Sequence, residues 1–216
     1  MRVITGKARG IQLKTPHGML TRPTADRVKE ALFSIIRLDI AGANVLDLFG
    51  GTGQLGIEAL SQGAKRAVFV DAREEACGLI RENLKKTRLE GDASVIRCDY
   101  LEYLSRCRET FDIIFLDPPY AEVFLENALN RITEIDILRS GGIIVTERPL
   151  EKELSQVFHG YSRSKDYKYG KTLLTIYRKE EAQGQICKQR FIRVPSTRSP
   201  AAIWISSAGP PISLTG

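Results

Sequence analysis

The sequence predicts a doubly wound α/β fold. Short apolar runs ending in an acid alternate with amphipathic stretches, beginning at Val45-Leu46-Asp47 and continuing to Ile143-Ile144-Val145-Thr146-Glu147. That alternation builds βαβ units, in which strands lie parallel and helices cover both faces. The runs are apolar almost throughout rather than at every second residue, the pattern of strands buried on both sides. Glycines crowd the end of the first run, where such folds turn from strand into helix and bind ligands.

The elements follow in chain order. Val3, Ile4, Ile11 and Leu13 alternate with basic residues, and Gly6 and Gly10 supply turns, so residues 1–23 predict a short basic β-hairpin or arm. From Thr24, a candidate N-cap, Val28, Ala31, Leu32, Ile35 and Ile36 recur at helical spacing, with Asp26 in the first turn. Strand and helix segments then alternate through VLDLF, GIEAL, AVFVD, ACGLIRENLKK, SVIRCD, FDIIFLD and GGIIVTE. A helix is expected around residues 150–157. Segments near 160–166 and 172–178 would close the sheet as an antiparallel pair, for about seven strands in all. The main domain is thus expected over 24–180, and the Ser-, Pro- and Gly-rich residues 181–216 as a poorly ordered tail.

Composition narrows the chemistry. The four cysteines are scattered without a CxxC pair and only two histidines are present, which disfavours a zinc cage, a disulfide framework or a histidine-based triad. No metal is expected. The chain has no run of about 18 apolar residues and no apolar leader, so it reads as cytoplasmic rather than as a membrane protein, and a monomer is expected. The net charge of +6 gathers at the ends, with seven Lys/Arg against two acids in residues 1–30. A basic arm on a slightly acidic body suits a polyanionic partner.

Two motifs carry the functional reading. In Asp47-Leu48-Phe49-Gly50-Gly51-Thr52-Gly53-Gln54-Leu55-Gly56, the glycines satisfy G-x-G-x-x-G and Asp71 follows about twenty residues on, as in dinucleotide sites. A dehydrogenase is therefore a candidate. Asp47 argues against it, because a carboxylate at the strand end would repel a pyrophosphate. An ammonium and a sulfonium would be welcome there, which points to S-adenosylmethionine. Asp71 would accept from its ribose hydroxyls and Asp99 would hold its adenine amino group, with Phe49, Gly50, Gly51, Thr52, Gly53, Ala72 and Tyr100 as further cofactor-binding candidates.

The second motif is Asp117-Pro118-Pro119-Tyr120, directly after the most apolar strand. A chance occurrence in a chain of this length is about one in a thousand at average composition. A base amino group is a poor nucleophile because its lone pair is delocalised into the ring. Hydrogen bonds to the Asp117 carboxylate and the Pro118 carbonyl would hold its hydrogens aside, with prolines fixing the loop and Tyr120 stacking on an extruded base. The chemistry expected is methylation of a planar amine. A DNA adenine, a protein glutamine amide and an RNA base remain open as acceptors at this point, and a non-catalytic RNA-binding protein would leave the loop idle.

The opening RVITGKARGIQLKTP, the segment Thr21 to Phe33, the block LDLFGGTGQLGIEALSQGA, the DPPY loop and the late YGKTLLTIYR together resemble the RsmD type of bacterial 16S rRNA (guanine-N2)-methyltransferases over residues 1–178. The resemblance implies a Rossmann-like class I methyltransferase fold, S-adenosylmethionine as donor, and N2 of one guanine in 16S ribosomal RNA, naked or in a small-subunit assembly particle, as acceptor. It also implies that Arg2, Lys7, Arg9, Lys14, Arg22 and Arg27 help to hold RNA. The chain departs from the family at Gly51, where Ala is commoner, and in its tail.

Overall fold

The computed structural model describes residues 1–16, 23–118, 122–151 and 153–179, all within the compact unit Met1–Ala182. Tyr120, Pro119, Arg22 and the tail lie outside the described residues. The doubly wound sheet is present. Its strands are β1 (Asn44–Asp47), β2 (Arg66–Asp71), β3 (Ala93–Arg97), β4 (Phe111–Leu116), β5 (Leu138–Pro149), β6 (Val157–Phe158), β7 (Tyr161–Tyr169) and β8 (Thr172–Lys179). Their order is β3-β2-β1-β4-β5-β8-β7-β6. The first five are parallel, and β8, β7 and β6 are added antiparallel.

Helices α1 (Pro23–Ile35), α2 (Arg37–Ile40), α3 (Gln54–Ser61) and α4 (Glu74–Thr87) pack on one face of the sheet, and α5 (Tyr100–Arg106) and α6 (Glu122–Ile135) on the other. Strand residues alternate between two cores. Val45, Phe69, Phe115 and Val145 meet Leu32, Ile57 and Ile80, while Leu46, Val68, Ile114 and Ile144 meet Leu104, Leu129 and Ile132. Central strands buried on both faces account for the near-continuous apolar runs.

Three local expectations are corrected. The helix expected at residues 150–157 is not formed: residues 153–155 have no regular structure and Val157–Phe158 is a strand, making eight strands among the described residues rather than seven. The turn His159-Gly160 takes φ of 41° and 82°, the two positive values that suit a tight hairpin, and it folds this segment back onto β7. Helix α1 begins at Pro23, so Thr24 lies inside its first turn; proline is favoured there because its missing N–H would be unbonded anyway.

The N-terminal segment turns back on itself: Arg2 bridges Gln12, and the N–H groups of Val3, Gly10 and Leu13 donate across to the Ile11 (3.0 Å), Val3 (2.9 Å) and Met1 (3.0 Å) carbonyls. The residues between these arms bond to α3. The Glu58 carboxylate accepts the N–H groups of Ile4 (2.8 Å) and Thr5 (2.9 Å), and Ser61 accepts those of Lys7 (2.8 Å, carbonyl) and Ala8 (2.9 Å, hydroxyl). A Cβ on Gly6 would stand 1.8 Å from the Ser61 carbonyl, so only glycine permits this approach. Val3, Ala8 and Leu13 join the core below.

Lys29 of α1 completes the anchor. Its ammonium lies 3.3 Å from Glu58, both side chains being almost wholly buried, and donates to the Arg2 carbonyl at 2.5 Å. Burial lowers the Lys29 pKa against the pull of Glu58. Breaking a buried pair leaves an uncompensated charge and costs about 3–5 kcal/mol. Lys29→Met should lower the urea unfolding free energy by that amount; an unchanged midpoint would show that the Ile4 and Thr5 N–H groups, the Thr5 hydroxyl and the Gln62 amide satisfy Glu58 without it.

Candidate functional site

Parallel register sets a row of acids along one edge of the sheet. Asp47 pairs with Phe69 on β2 and Phe115 on β4, so Asp71 and Asp117 each stand two residues further out. Leu116 pairs with Thr146, which brings Asp117 and Glu147 to the same level on neighbouring strands. Side chains alternate in strands, and Asp71, Asp47, Asp117 and Glu147 all fall on the face carrying α1 to α4. This is the carboxyl edge, where α/β sheets bind ligands.

Each acid is held differently. Asp47 is 1% exposed, and among the described residues the one hydrogen bond to its side chain comes from the Gly56 N–H at 3.1 Å. Burial pushes Asp47 up to about 8, the Gly56 bond opposing and the Asp117 and Asp71 charges adding. Asp71 is also buried, but against that desolvation it accepts from the Arg73 side chain (3.2 Å), the Arg73 N–H (2.9 Å) and the Gly51 N–H (2.9 Å). These bonds hold it below the usual carboxylate range.

Asp117 and Glu147 are half-buried, and neither makes a hydrogen bond or ion pair with any described residue. Burial pushes Asp117 up to about 6. Burial first, then the Asp117 charge, push Glu147 up to about 7.

The glycine loop arches over this edge. Gly50 donates to the Val70 carbonyl at 2.9 Å, Gly51 and Gly53 take φ of 56° and 78°, and α3 starts at Gln54 with Gly53 as N-cap. A Cβ on Gly56 would come within 2.3 Å of the Phe69 ring, so this glycine lets α3 lie close on β2. The Asn83 amide of α4 bonds the Thr52 carbonyl (2.9 Å) and the Lys14 carbonyl (3.0 Å), joining the loop to the N-terminal arm.

On the other face, Phe49 packs on Tyr100 (5.2 Å between centroids), and Tyr100 meets Phe124 of α6 edge-on at 5.7 Å. Ala72 is exposed beside Asp71. Asp99 is the N-cap of α5, its Oδ1 accepting from Leu101 and Glu102.

The structure thus brings Asp47, Phe49 to Gly53, Asp71 and Asp117-Pro118 to one edge. Glu147 is absent from the residues the motifs pick out, yet it ends an apolar run in the same way as Asp47, Asp71 and Asp117. Arg73, which takes up much of the Asp71 carboxylate, carries no sequence signal beyond its position two residues later. The basic residues divide. Arg2, Lys7, Arg9 and Arg27 are exposed and unpaired among the described residues, whereas Lys14 is bound to Glu82 at 2.6 Å. Met1 reaches Thr52 at the glycine loop, while Lys7 and Ala8 sit at the far end of α3. The eight-residue helix separates the two ends by about 12 Å.

Comparison with known proteins agrees with this arrangement. The family model described as Conserved hypothetical protein 95 matches residues 1–178. YlbH of Bacillus subtilis (strain 168) is 42% identical over 182 residues, 83% of this chain and 99% of that one. Ribosomal RNA small subunit methyltransferase D of Escherichia coli (strain K12) is 32% identical over 185 residues, 86% and 92% of the two chains. The chain belongs to the RsmD family of methyltransferases. Among solved structures, YhhF of Escherichia coli superposes with a TM-score of 0.76 at 29% identity, covering 84% of this chain and 98% of that one. The RsmD match stops at residue 178, next to the end of β8.

Asp47 gives the sharpest electrostatic test. A carboxyl with a raised folded-state pKa favours the folded state most where it is protonated, and that advantage is lost as pH rises from about 4 through about 8. Asp47→Asn keeps an acceptor for Gly56 and removes the charge. At pH 8 the variant should be more stable than the wild type by on the order of 1–3 kcal/mol, and the gain should fade at pH 5. Equal thermal stability at both pH values would show that Asp47 is not strained by burial.

Proposed function

We propose that this protein transfers a methyl group from S-adenosylmethionine to the exocyclic N2 amino group of one guanine in 16S ribosomal RNA. The observation that carries the reading is the pair Asp117-Pro118, ending β4 beside the buried Asp47, with the Asp117 carboxylate free of hydrogen bonds to described residues. Family membership supplies the class, and the Escherichia coli relative is named for the small-subunit RNA.

The residues fit the cofactor. A carboxylate buried as deeply as Asp47 and bonded to a single backbone N–H calls for a cationic partner, and an α-ammonium suits it where a pyrophosphate does not. Asp71 accepts four N–H bonds, one from Gly51 and three from Arg73, so a ribose hydroxyl would reach it by taking the place of the exposed Arg73 side chain, and Phe49 and Tyr100 supply apolar walls for an adenine. Asp99 offers its remaining oxygen. When bound, S-adenosylmethionine supplies a methyl group activated by its sulfonium.

The chain supplies acceptors and position. The Asp117 carboxylate accepts one amino hydrogen and the Pro118 carbonyl the other, which turns the nitrogen lone pair out of conjugation. As the new N–C bond forms, the nitrogen sheds a proton to Asp117, which returns it to solvent. Tyr120 stacks on the base, and Arg2, Lys7, Arg9, Lys14, Arg22 and Arg27 meet RNA phosphates.

Asp117→Ala should cut methyl transfer by about 10²–10⁴-fold while leaving cofactor affinity, read by calorimetry, within a few-fold. Wild-type kcat/KM should rise with pH through about 6, because Asp117 accepts only when ionised. The function itself is tested with tritiated donor against 16S RNA, small-subunit particles, duplex DNA and a glutamine-bearing protein. Label appearing as N2-methylguanine in the first two supports the reading. Label in DNA or protein alone, or protection by NADH rather than S-adenosylmethionine in thermal melts, overturns it.

A further inference from the structure

Glu147 has no task in the reaction as described, yet it is the nearest carboxylate to Asp117 across the sheet. The parallel pairing of Leu116 with Thr146 makes Asp117 and Glu147 neighbours at the same level, on the same face, and the Asp117 charge acts on Glu147. Glu147 is half-buried, with Leu174 opposite it on β8, and it makes no hydrogen bond or ion pair with any described residue. Its neighbours along β5 are spoken for: Thr146 bonds to the Thr175 carbonyl, and Arg148 to Thr175 and Asp166. A folded chain pays to keep two unbonded carboxylates side by side, and such a pair is retained where a ligand brings donors to both.

Two adjacent acceptors read a particular base edge. In guanine, the ring nitrogen next to the amino group carries a hydrogen, so N2–H and N1–H form a row of donors. In adenine and cytosine, the ring nitrogen next to the amino group is an acceptor, and it would meet the lone pairs of a carboxylate. A glutamine amide has no neighbouring ring donor at all. We propose that the Glu147 carboxylate accepts the N1–H of the target base beside the amino group held by Asp117, and thereby selects guanine over other planar amines. This inference rests on the methyl-transfer reading above and supplies its specificity, which a loop of Asp, Pro and Pro does not.

Discrimination arises because a base without N1–H leaves a buried acceptor unpaired and opposed by another. A well-placed hydrogen-bonding pair of this kind separates right from wrong base by about 10- to 100-fold. Glu147→Gln keeps an acceptor for N1–H and adds a donor, so it should tolerate either ring nitrogen. Glu147→Ala should lose rate on guanine without gaining the alternative.

The test compares small-subunit RNA particles carrying guanine or 2-aminopurine at the nucleotide that the wild-type protein methylates. The analogue keeps the N2 amino group but has an acceptor at N1. Wild-type protein should prefer guanine by about 10- to 100-fold in kcat/KM. In Glu147→Gln that ratio should fall to within a few-fold of one, an effect that general loosening of the fold would not produce, since it would lower both rates together. A wild-type protein that methylates both bases equally overturns the proposal even if the variant fails to fold, and so does a Glu147→Gln variant that keeps the full preference. If the wild-type protein methylates neither base in any particle, the methyl-transfer reading itself fails and takes this inference with it. Methylation of guanine with an unchanged ratio sinks only the assignment to Glu147.

Discussion

The site depends on the register of four parallel strands, which places carboxylates side by side at one edge of a sheet buried on both faces. Acids at successive strand ends repel each other and lose hydration, and both effects push their protons on. The chain relieves this unevenly. Asp71 is satisfied by Arg73 and the glycine loop, Asp47 has a single backbone bond, and Asp117 and Glu147 have no partner among the described residues. The relieved acid suits neutral hydroxyls, and the unrelieved ones suit a cation and a row of N–H donors. Stability is given up at this edge, as is common where a site is prepared for its ligand.

The rest of the molecule holds that edge in place. Helix α3 is the hinge of the arrangement: its first turn receives Asp47, and its last two turns receive the N-terminal arm through Glu58 and Ser61. The buried Lys29 ties α1 into the same knot, and Asn83 links the arm to the glycine loop. The basic residues of the arm are thereby carried on a surface that moves with the glycine loop, rather than on a free tether.

Much of this was legible from residue pattern, and the exceptions have physical causes. Apolar runs ending in acids mark every parallel strand, because the central ones are buried on both sides and all of them finish at a polar edge. Glu147 shows the same signature, but a lone acid without a flanking motif looks like any strand end until the register sets it beside Asp117. The arm alternates like a hairpin and its backbone bonds across itself, but the Ile4 and Thr5 donors reach a carboxylate on α3, a long-range partner that no local pattern displays. Leu150, Leu154 and Val157 kept helical spacing although the His159-Gly160 turn drew the segment into the sheet, which is tertiary pairing overriding local preference.

In the proposed site, a protonated Asp47 at the sheet edge awaits the cation of the cofactor. Calorimetric titration with S-adenosylmethionine at pH 7, in two buffers of different ionisation enthalpy, measures it directly. Binding should release protons, because a bound ammonium draws Asp47 down from about 8 into the ionised form. Binding without proton release, or with uptake, would contradict the account.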